Sequence, residues 1–340
     1  MGTLAYVAYV VTTTLVTRCI AAAGQRATVV AGGLLAVAGT IVIALAHGPA
    51  LLAIGVASAG LVQPPFADAV DRLPATVRAR TLATISCGTG WGVAIAAPIA
   101  IAAAEAWRSA FLGFAVCATA STLFAAFVLP GPRTRNRTLD KSAPTGPPAR
   151  GHSAPRPGRA VLPMFAGALL IGLGSAPFWT FAVDAVRAAG LDQTAGRALL
   201  GVAGVTSLLA SGAADVIRRL GATWTFVLCA LLEAAAIATV GLAANHVVAV
   251  MVAAAVFGAA YNTIVNVTVL WGTRLYPDQP SAGSAAAVKV QAIGLLCGPL
   301  IGGSVAEAIG LTATLLGGAA IVLAAALFAP RTDVIQNASE

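Results

Sequence analysis

The sequence predicts an all-helical, polytopic membrane protein built from two pseudo-symmetric helical bundles. The first observation is composition: 59% of the 340 residues are hydrophobic and only 9% are charged, which leaves too little polar surface to cover a soluble domain of this size. The second is a series of apolar runs, most of them close to the ~20 residues that a helix needs to cross a bilayer. The third is an internal repeat of these runs.

Eleven apolar spans follow one another along the chain, and helices are the expected form because a bilayer offers the backbone no water. Eight are free of charge: Ala27–Ala46, Ala50–Ala67, Thr81–Ala104, Ser109–Pro130, Val161–Val183, Ala198–Ala214, Val247–Thr273 and Ile309–Pro330. Gly2–Thr17 is short, Ala222–Ala243 contains Glu233, and Ser281–Ala306 contains Lys289.

The chain also aligns with itself. At a shift of 197 residues Gly24 matches Gly221 and Thr28 matches Thr225, and further on, at a shift of 202 residues, Gly92 falls on Gly294. The span that begins at Val161 then has no partner in the first half. We therefore expect a six-plus-six protein in which one amino-terminal helix is missing from this chain.

The predicted organisation is a first bundle of five spans at 1–130, a linker at 131–160, a second bundle of six spans at 161–330 and a tail at 331–340. The linker is rich in Pro, Gly, Ser and Arg, as flexible tethers are. Nearly all Lys and Arg lie in one set of alternate loops, so the positive-inside rule places the carboxyl terminus in the cytoplasm. The net charge of +8 follows from this bias, and no nucleic-acid partner is expected.

No catalytic or cofactor motif is recognisable. The five cysteines have no paired spacing, so neither a disulfide framework nor a metal site is predicted. The sequence contains no P-loop and no His-Glu-x-x-His, so an ion gradient is the expected energy source. An intramembrane enzyme is a remote alternative.

Several local features have counterparts in a known family. Trp107-Arg108 opens a span, and basic turns follow two spans at equivalent points of the repeat. With these features the whole chain resembles the major facilitator superfamily, in which two six-helix bundles rock about a central site. The resemblance implies that residues of the basic turns act as conformational switches. These residues are Gly24, Arg26, Asp215, Arg218 and Arg219.

A glycine and proline motif lies in the tenth visible span. It comprises Gly294, Gly298, Pro299, Gly302 and Gly303. The family's antiporters carry the same pattern in the fifth helix of the first half, whereas here it lies in the second half. Two interpretations stay open: the motif bends its helix during alternating access, or it allows close helix packing.

The resemblance also implies which spans line the central cavity, namely those that begin at Ala50, Val161 and Val247. Their substrate-cavity candidates are Gln63, Phe66, Phe178, Trp179, Tyr261, Asn262 and Asn266. The coupling candidates are Asp68, Asp184, Glu233 and Lys289. Asn262 and Asn266 share one helix face, where they bind substrate or hold helices together. The Phe178-Trp179 pair is either a stacking platform or an interfacial belt, and Lys289 can also snorkel to the inner surface.

The sequence thus predicts a monomeric, proton-coupled secondary transporter that exports a small organic molecule across the plasma membrane. Export is expected because the cavity candidates are mostly apolar or amide-bearing, without a clamp of charges. An importer of the same fold and a truncated, non-transporting relic are the alternatives.

Overall fold

The computed structural model describes residues 22–60, 88–103, 106–129, 161–276 and 280–330, with isolated positions 7, 8, 10–12, 15, 19 and 81. Within these segments all regular structure is helical. The predicted linker at 131–160 and tail at 331–340 lie outside the described residues, as does most of the first predicted span.

Ten α-helices are described. They are α1 (Gln25–Ala44), α2 (Pro49–Gly60), α3 (Gly88–Ala102), α4 (Trp107–Val128), α5 (Leu162–Ala188), α6 (Gln193–Ser207), α7 (Ala213–Leu242), α8 (Val247–Leu275), α9 (Pro280–Ile309) and α10 (Leu311–Ala325). Short 3-10 helices cover Leu208–Gly212 and Ala326–Phe328. Seven helical stretches of the described residues are long and apolar enough to cross a membrane, and α2 and α3 contain shorter apolar stretches. The predicted polytopic helical class is confirmed.

The internal repeat is visible in local geometry. Gly24 and Gly221 both have a positive φ, 83° and 78°, and each precedes a helix. One turn later, the hydroxyls of Thr28 and Thr225 donate to the carbonyl oxygens of these glycines at 2.8 and 2.7 Å. Only glycine adopts such a φ without steric strain. Residues that match in the self-alignment therefore have the same local structure at this point.

The predicted end of one span at Ala214 is wrong, because the helix continues to Gly221. The sequence placed a basic loop between spans that end at Ala214 and begin at Ala222, but the chain stays helical up to the break at Gly221. Asp215 and Arg218 form an ion pair of 2.7 Å within this helix, one turn apart. Charged residues are compatible with a helix outside the bilayer core, and the positive φ of Gly221 is what interrupts it.

Helix α5 is central to the second half, where α9 and α10 pack along it. Glycines bring the backbones into contact: Gly172 lies against Gln291, and a Cβ at Gly174 would lie 2.7 Å from the carbonyl oxygen of Gly318. Lipid provides no hydrophobic force between helices, so close packing of this kind is what holds them together.

The two halves meet where α3 packs against α6. A Cβ on Gly204 would lie 2.8 Å from the backbone nitrogen of Ala94, and one on Gly201 would lie 2.8 Å from the Cβ of Ala97. At Gly201 and Gly204 the helices of the two halves are therefore too close for an added methyl group.

In the first half, Arg108 connects α4 to the turn between α1 and α2. Its guanidinium group lies 4.5 Å from the centroid of the Trp107 ring and donates a hydrogen bond of 3.0 Å to the carbonyl oxygen of Ala46. This pairing explains why a Trp-Arg pair begins the helix.

We expect Gly204→Ala to destabilise the contact between the halves, because the added methyl group would overlap the backbone of α3. Overpacking of this kind costs about 1–3 kcal/mol. Gly317→Ala is the matched control, since nothing lies within 4 Å of a Cβ at that helical position. Thermal unfolding in detergent should give a lower Tm for Gly204→Ala only, and equal Tm values for both variants would contradict the described packing.

Candidate functional site

Four aromatic side chains from α5 and α8 form one cluster. Phe178 stacks on Phe257 with ring centroids 3.6 Å apart and planes 13° apart, and Phe257 is parallel to Tyr261 at 5.6 Å. Trp179 lies edge-on to Phe257 and Tyr261, at 5.3 and 5.8 Å. Phe257 and Tyr261 are one turn apart and therefore share a face of α8.

The inner and outer rings of this cluster differ in exposure. Phe178 and Phe257 are 0% exposed, whereas Trp179 and Tyr261 are half-buried. The side-chain amide of Gln291, a buried residue of α9, donates to the Tyr261 hydroxyl at 3.4 Å. We call these five residues the aromatic wall. It combines accessible ring surface with a phenol and an amide, and it lies near the middle of its helices.

The sequence prediction missed Phe257 and Gln291. Phe257 resembles every other apolar residue of its span, so no sequence signal separates it from the core. Gln291 could have been recognised, because it is a polar, uncharged residue inside an apolar span.

Asn262 and Asn266 lie on another face of α8, which packs on α6. The amide of Asn266 donates at 3.0 Å to the carbonyl oxygen of Ala210 in the 3-10 helix after α6. The amide of Asn262 donates at 3.2 Å to Gly258 in its own helix. Both side chains are buried. In this conformation Asn266 thus connects two helices, and the two side chains do not join the aromatic wall.

Glu233 lies inside the second half and is 0% exposed. Its Oε1 atom accepts a short hydrogen bond from the Ser175 hydroxyl of α5. Its Oε2 atom is buried and has no hydrogen-bond partner among the described residues. Burial of a carboxyl group without a cationic partner favours its neutral form over the carboxylate.

The other coupling candidates are in different surroundings. Asp184 is exposed in the last part of α5, and Lys289 is half-buried in α9. Gln63, Phe66 and Asp68 lie outside the described residues. Among the described residues, no group of three or more His, Cys, Asp and Glu could hold a metal ion.

The predicted switch residues lie at helix ends. Gly24 and Arg26 begin α1, and Arg219 is exposed next to the Asp215–Arg218 pair. That pair is largely in solvent, where an ion pair contributes ~0–1 kcal/mol. Because this pair is neutral as a unit, Arg219 provides the positive charge next to the break at Gly221.

The glycine motif of α9 faces its neighbours. Gly294 lies against the backbone of Leu173, Gly298 against Ala176, and Gly302 against Phe181 and Thr314. Gly303 has no neighbour within 4 Å of its Cβ position. The close-packing interpretation of this motif matches these contacts, and bending at Pro299 stays a prediction.

Comparison with known proteins assigns a family to this geometry. Residues 1–329 match the family described as "Uncharacterised MFS-type transporter YbfB". The chain belongs to this family. It is therefore a multi-pass membrane protein of the major facilitator superfamily, as the resemblance in sequence predicted.

One solved structure with this fold is the human organic anion transporter MFSD10 (TETRAN). The TM-score is 0.67 at 16% identity, with 96% of this chain and 81% of that chain covered. At this identity the likeness shows the fold alone. No curated protein matches the sequence.

We expect Asn266→Leu to destabilise the protein more than Asn262→Leu. The first change leaves the carbonyl oxygen of Ala210 without its donor, whereas the second removes a bond within α8. Hydrogen bonds between membrane helices contribute about 0.6 kcal/mol on average and up to about 1.7 kcal/mol. Unfolding midpoints in mixed micelles measure the difference, and a larger loss for Asn262→Leu would show that Asn266 does not connect the helices.

Proposed function

We propose that this transporter exports a small organic molecule in exchange for protons by alternating access. The observation that carries the proposal is the aromatic wall, because it offers a binding surface at mid-helix. Two half-buried rings, Trp179 and Tyr261, are available for stacking, and Gln291 positions the Tyr261 hydroxyl. Such a surface suits a largely apolar molecule with a planar ring and one hydrogen-bonding group.

The contact between the halves supports a relative movement. Gly201 and Gly204 meet Ala97 and Ala94 through backbone atoms and methyl groups, a surface on which α3 and α6 can change their crossing. We propose that the basic turns at Gly24 and Arg26 and at Asp215, Arg218 and Arg219 stabilise alternate ends of the cycle. In this proposal α9 bends at Pro299 during the same movement.

The proposed coupling ion is the proton. The described candidates for taking up and releasing the proton are the carboxyl groups of Asp184 and Glu233 and the amino group of Lys289. The fourth candidate, Asp68, belongs to the first half and lies outside the described residues. The distribution of Lys and Arg supports a cytoplasmic carboxyl terminus. We propose the plasma membrane as the location. We propose that the protein acts as a monomer and without a cofactor.

The test uses inside-out vesicles with an acidic lumen and two planar fluorescent probes. Ethidium represents cations, and fluorescein represents anions, because the similar structure is that of an organic anion transporter. We expect Trp179→Ala and Tyr261→Ala to lower probe accumulation by about tenfold, the factor that corresponds to ~1.4 kcal/mol of lost contact.

The control is Trp224→Ala, which removes an aromatic ring of α7 that is 69% exposed. It should accumulate the probe as the unmodified protein does. Equal accumulation by all variants would place the substrate elsewhere, and the absence of pH-driven accumulation of both probes by the unmodified protein would contradict the proposed substrate class.

A further inference from the structure

We propose that Glu233 is the proton-carrying group of this transporter and that Ser175 links its protonation to the aromatic wall. The inference rests on the proposed proton-coupled transport and names the residues that perform the coupling. Three observations support it: Glu233 is fully buried, one of its carboxyl oxygens accepts a hydrogen bond from Ser175, and the other oxygen has no partner among the described residues.

Glu233 forms no ion pair with a described residue. Helix α7 packs on α5, α8, α10 and the two 3-10 helices. Their only Asp, Glu, Lys, Arg or His residues are Asp184 and Arg187 in α5 and Arg274 in α8. Asp184 is more than two turns along α5 from Ser175, and Arg274 lies in the last turn of α8. The titratable neighbour within α7 is Cys229, one turn before Glu233.

A proton fits this site better than a metal ion. Cations such as Na⁺ or Ca²⁺ need several oxygen ligands, whereas the described hydrogen bonds of the Glu233 carboxyl group involve one side-chain oxygen, the hydroxyl of Ser175. A proton on Oε2 needs no further ligand. Oε1 then acts as the carbonyl oxygen that accepts the Ser175 hydrogen bond.

Release of the proton requires a change of conformation. The O–H bond at Oε2 breaks, and the proton passes to a water molecule as hydronium, which leaves a carboxylate on Glu233. Because Glu233 is 0% exposed in this conformation, bulk water reaches its carboxyl group only when the helices around it move. Protonation and helix movement are therefore linked, as exchange transport needs.

Ser175 connects this event to the aromatic wall. Its hydroxyl lies 2.5 Å from the carbonyl oxygen of Ile171, so it has a second acceptor in its own helix. Pro177, two residues later, has no N–H group and weakens the helix at that point. Trp179 follows one turn after Ser175 on the same face. A change in the Ser175 hydrogen bond therefore acts where α5 bends most easily, next to a ring of the aromatic wall.

The first test detects the proton directly. Infrared difference spectra of the purified protein in liposomes, recorded as the pH is raised, report the C=O stretching band of protonated carboxyl groups. We expect a band that persists at neutral pH in the unmodified protein and in the control Glu307→Gln, since Glu307 is exposed near the end of α9. The band should be lost in Glu233→Gln. An unchanged band in Glu233→Gln would overturn the inference.

A second spectrum tests the positioning role of Ser175. In Ser175→Ala the frequency of the band should shift, because the C=O oxygen of Glu233 loses its described hydrogen-bond donor. Ser304→Ala removes an exposed hydroxyl of α9 and should leave the frequency unchanged. Identical band frequencies in the two serine variants would show that Ser175 does not position Glu233.

The flux measurement separates this inference from the proposed function. At equal pH on both sides of the liposome membrane, Glu233→Gln should still exchange ethidium or fluorescein. Accumulation of the probe driven by a pH gradient should be at least about tenfold lower than in the unmodified protein. If gradient-driven accumulation is unchanged in Glu233→Gln, the inference is wrong and the proposed function stands. If the band depends on Glu233 but neither probe is transported, the proposed substrate class is wrong and the proton site stands.

Discussion

Direct contact between helix backbones is the constraint on which the other features of this protein depend. Helices in lipid gain nothing from burying apolar side chains against each other, so they associate where small residues allow van der Waals contact. Gly172 and Gly174 provide such contacts on α5, with α9 on one side and α10 on the other. The position of α5 in turn determines where Ser175 and Phe178 lie. The same kind of contact, at Gly204, joins the two halves.

Buried polar groups in the second half fall into two kinds. Asn262 and Asn266 use their amides to satisfy backbone carbonyl groups, which is a structural use. Glu233 has an oxygen atom that no described residue satisfies, and Gln291 reaches a half-buried phenol. An unsatisfied polar atom in an apolar environment carries a free-energy cost, and the proposed proton coupling gives the free oxygen atom of Glu233 a use. The proposed substrate surface gives one to Gln291.

The helical class, the family and the repeat could be predicted from the sequence, because each depends on local pattern. Gly24 and Gly221 illustrate this, since a turn that requires positive φ selects glycine in both copies. The partners of buried side chains could not be predicted in the same way. The spacing placed Asn262 and Asn266 on one face of a helix, but the rotation of α8 against its neighbours decides that this face meets α6. For the same reason the stacking of Phe257 on Phe178 had no signal in the sequence.

Movement of the two halves about a central site is tested most directly by distances between spin labels. The labels are attached in a protein whose five cysteines have been removed. One pair of labels replaces His47 and His246, in the turns that follow α1 and α7. The other pair replaces Leu129, directly after α4, and Phe328, at the end of the 3-10 helix that follows α10. Pulsed electron spin resonance in liposomes at acidic and at alkaline pH should show one distance increasing while the other decreases. Two distances that stay constant, or that change in the same direction, would contradict alternating access between these halves.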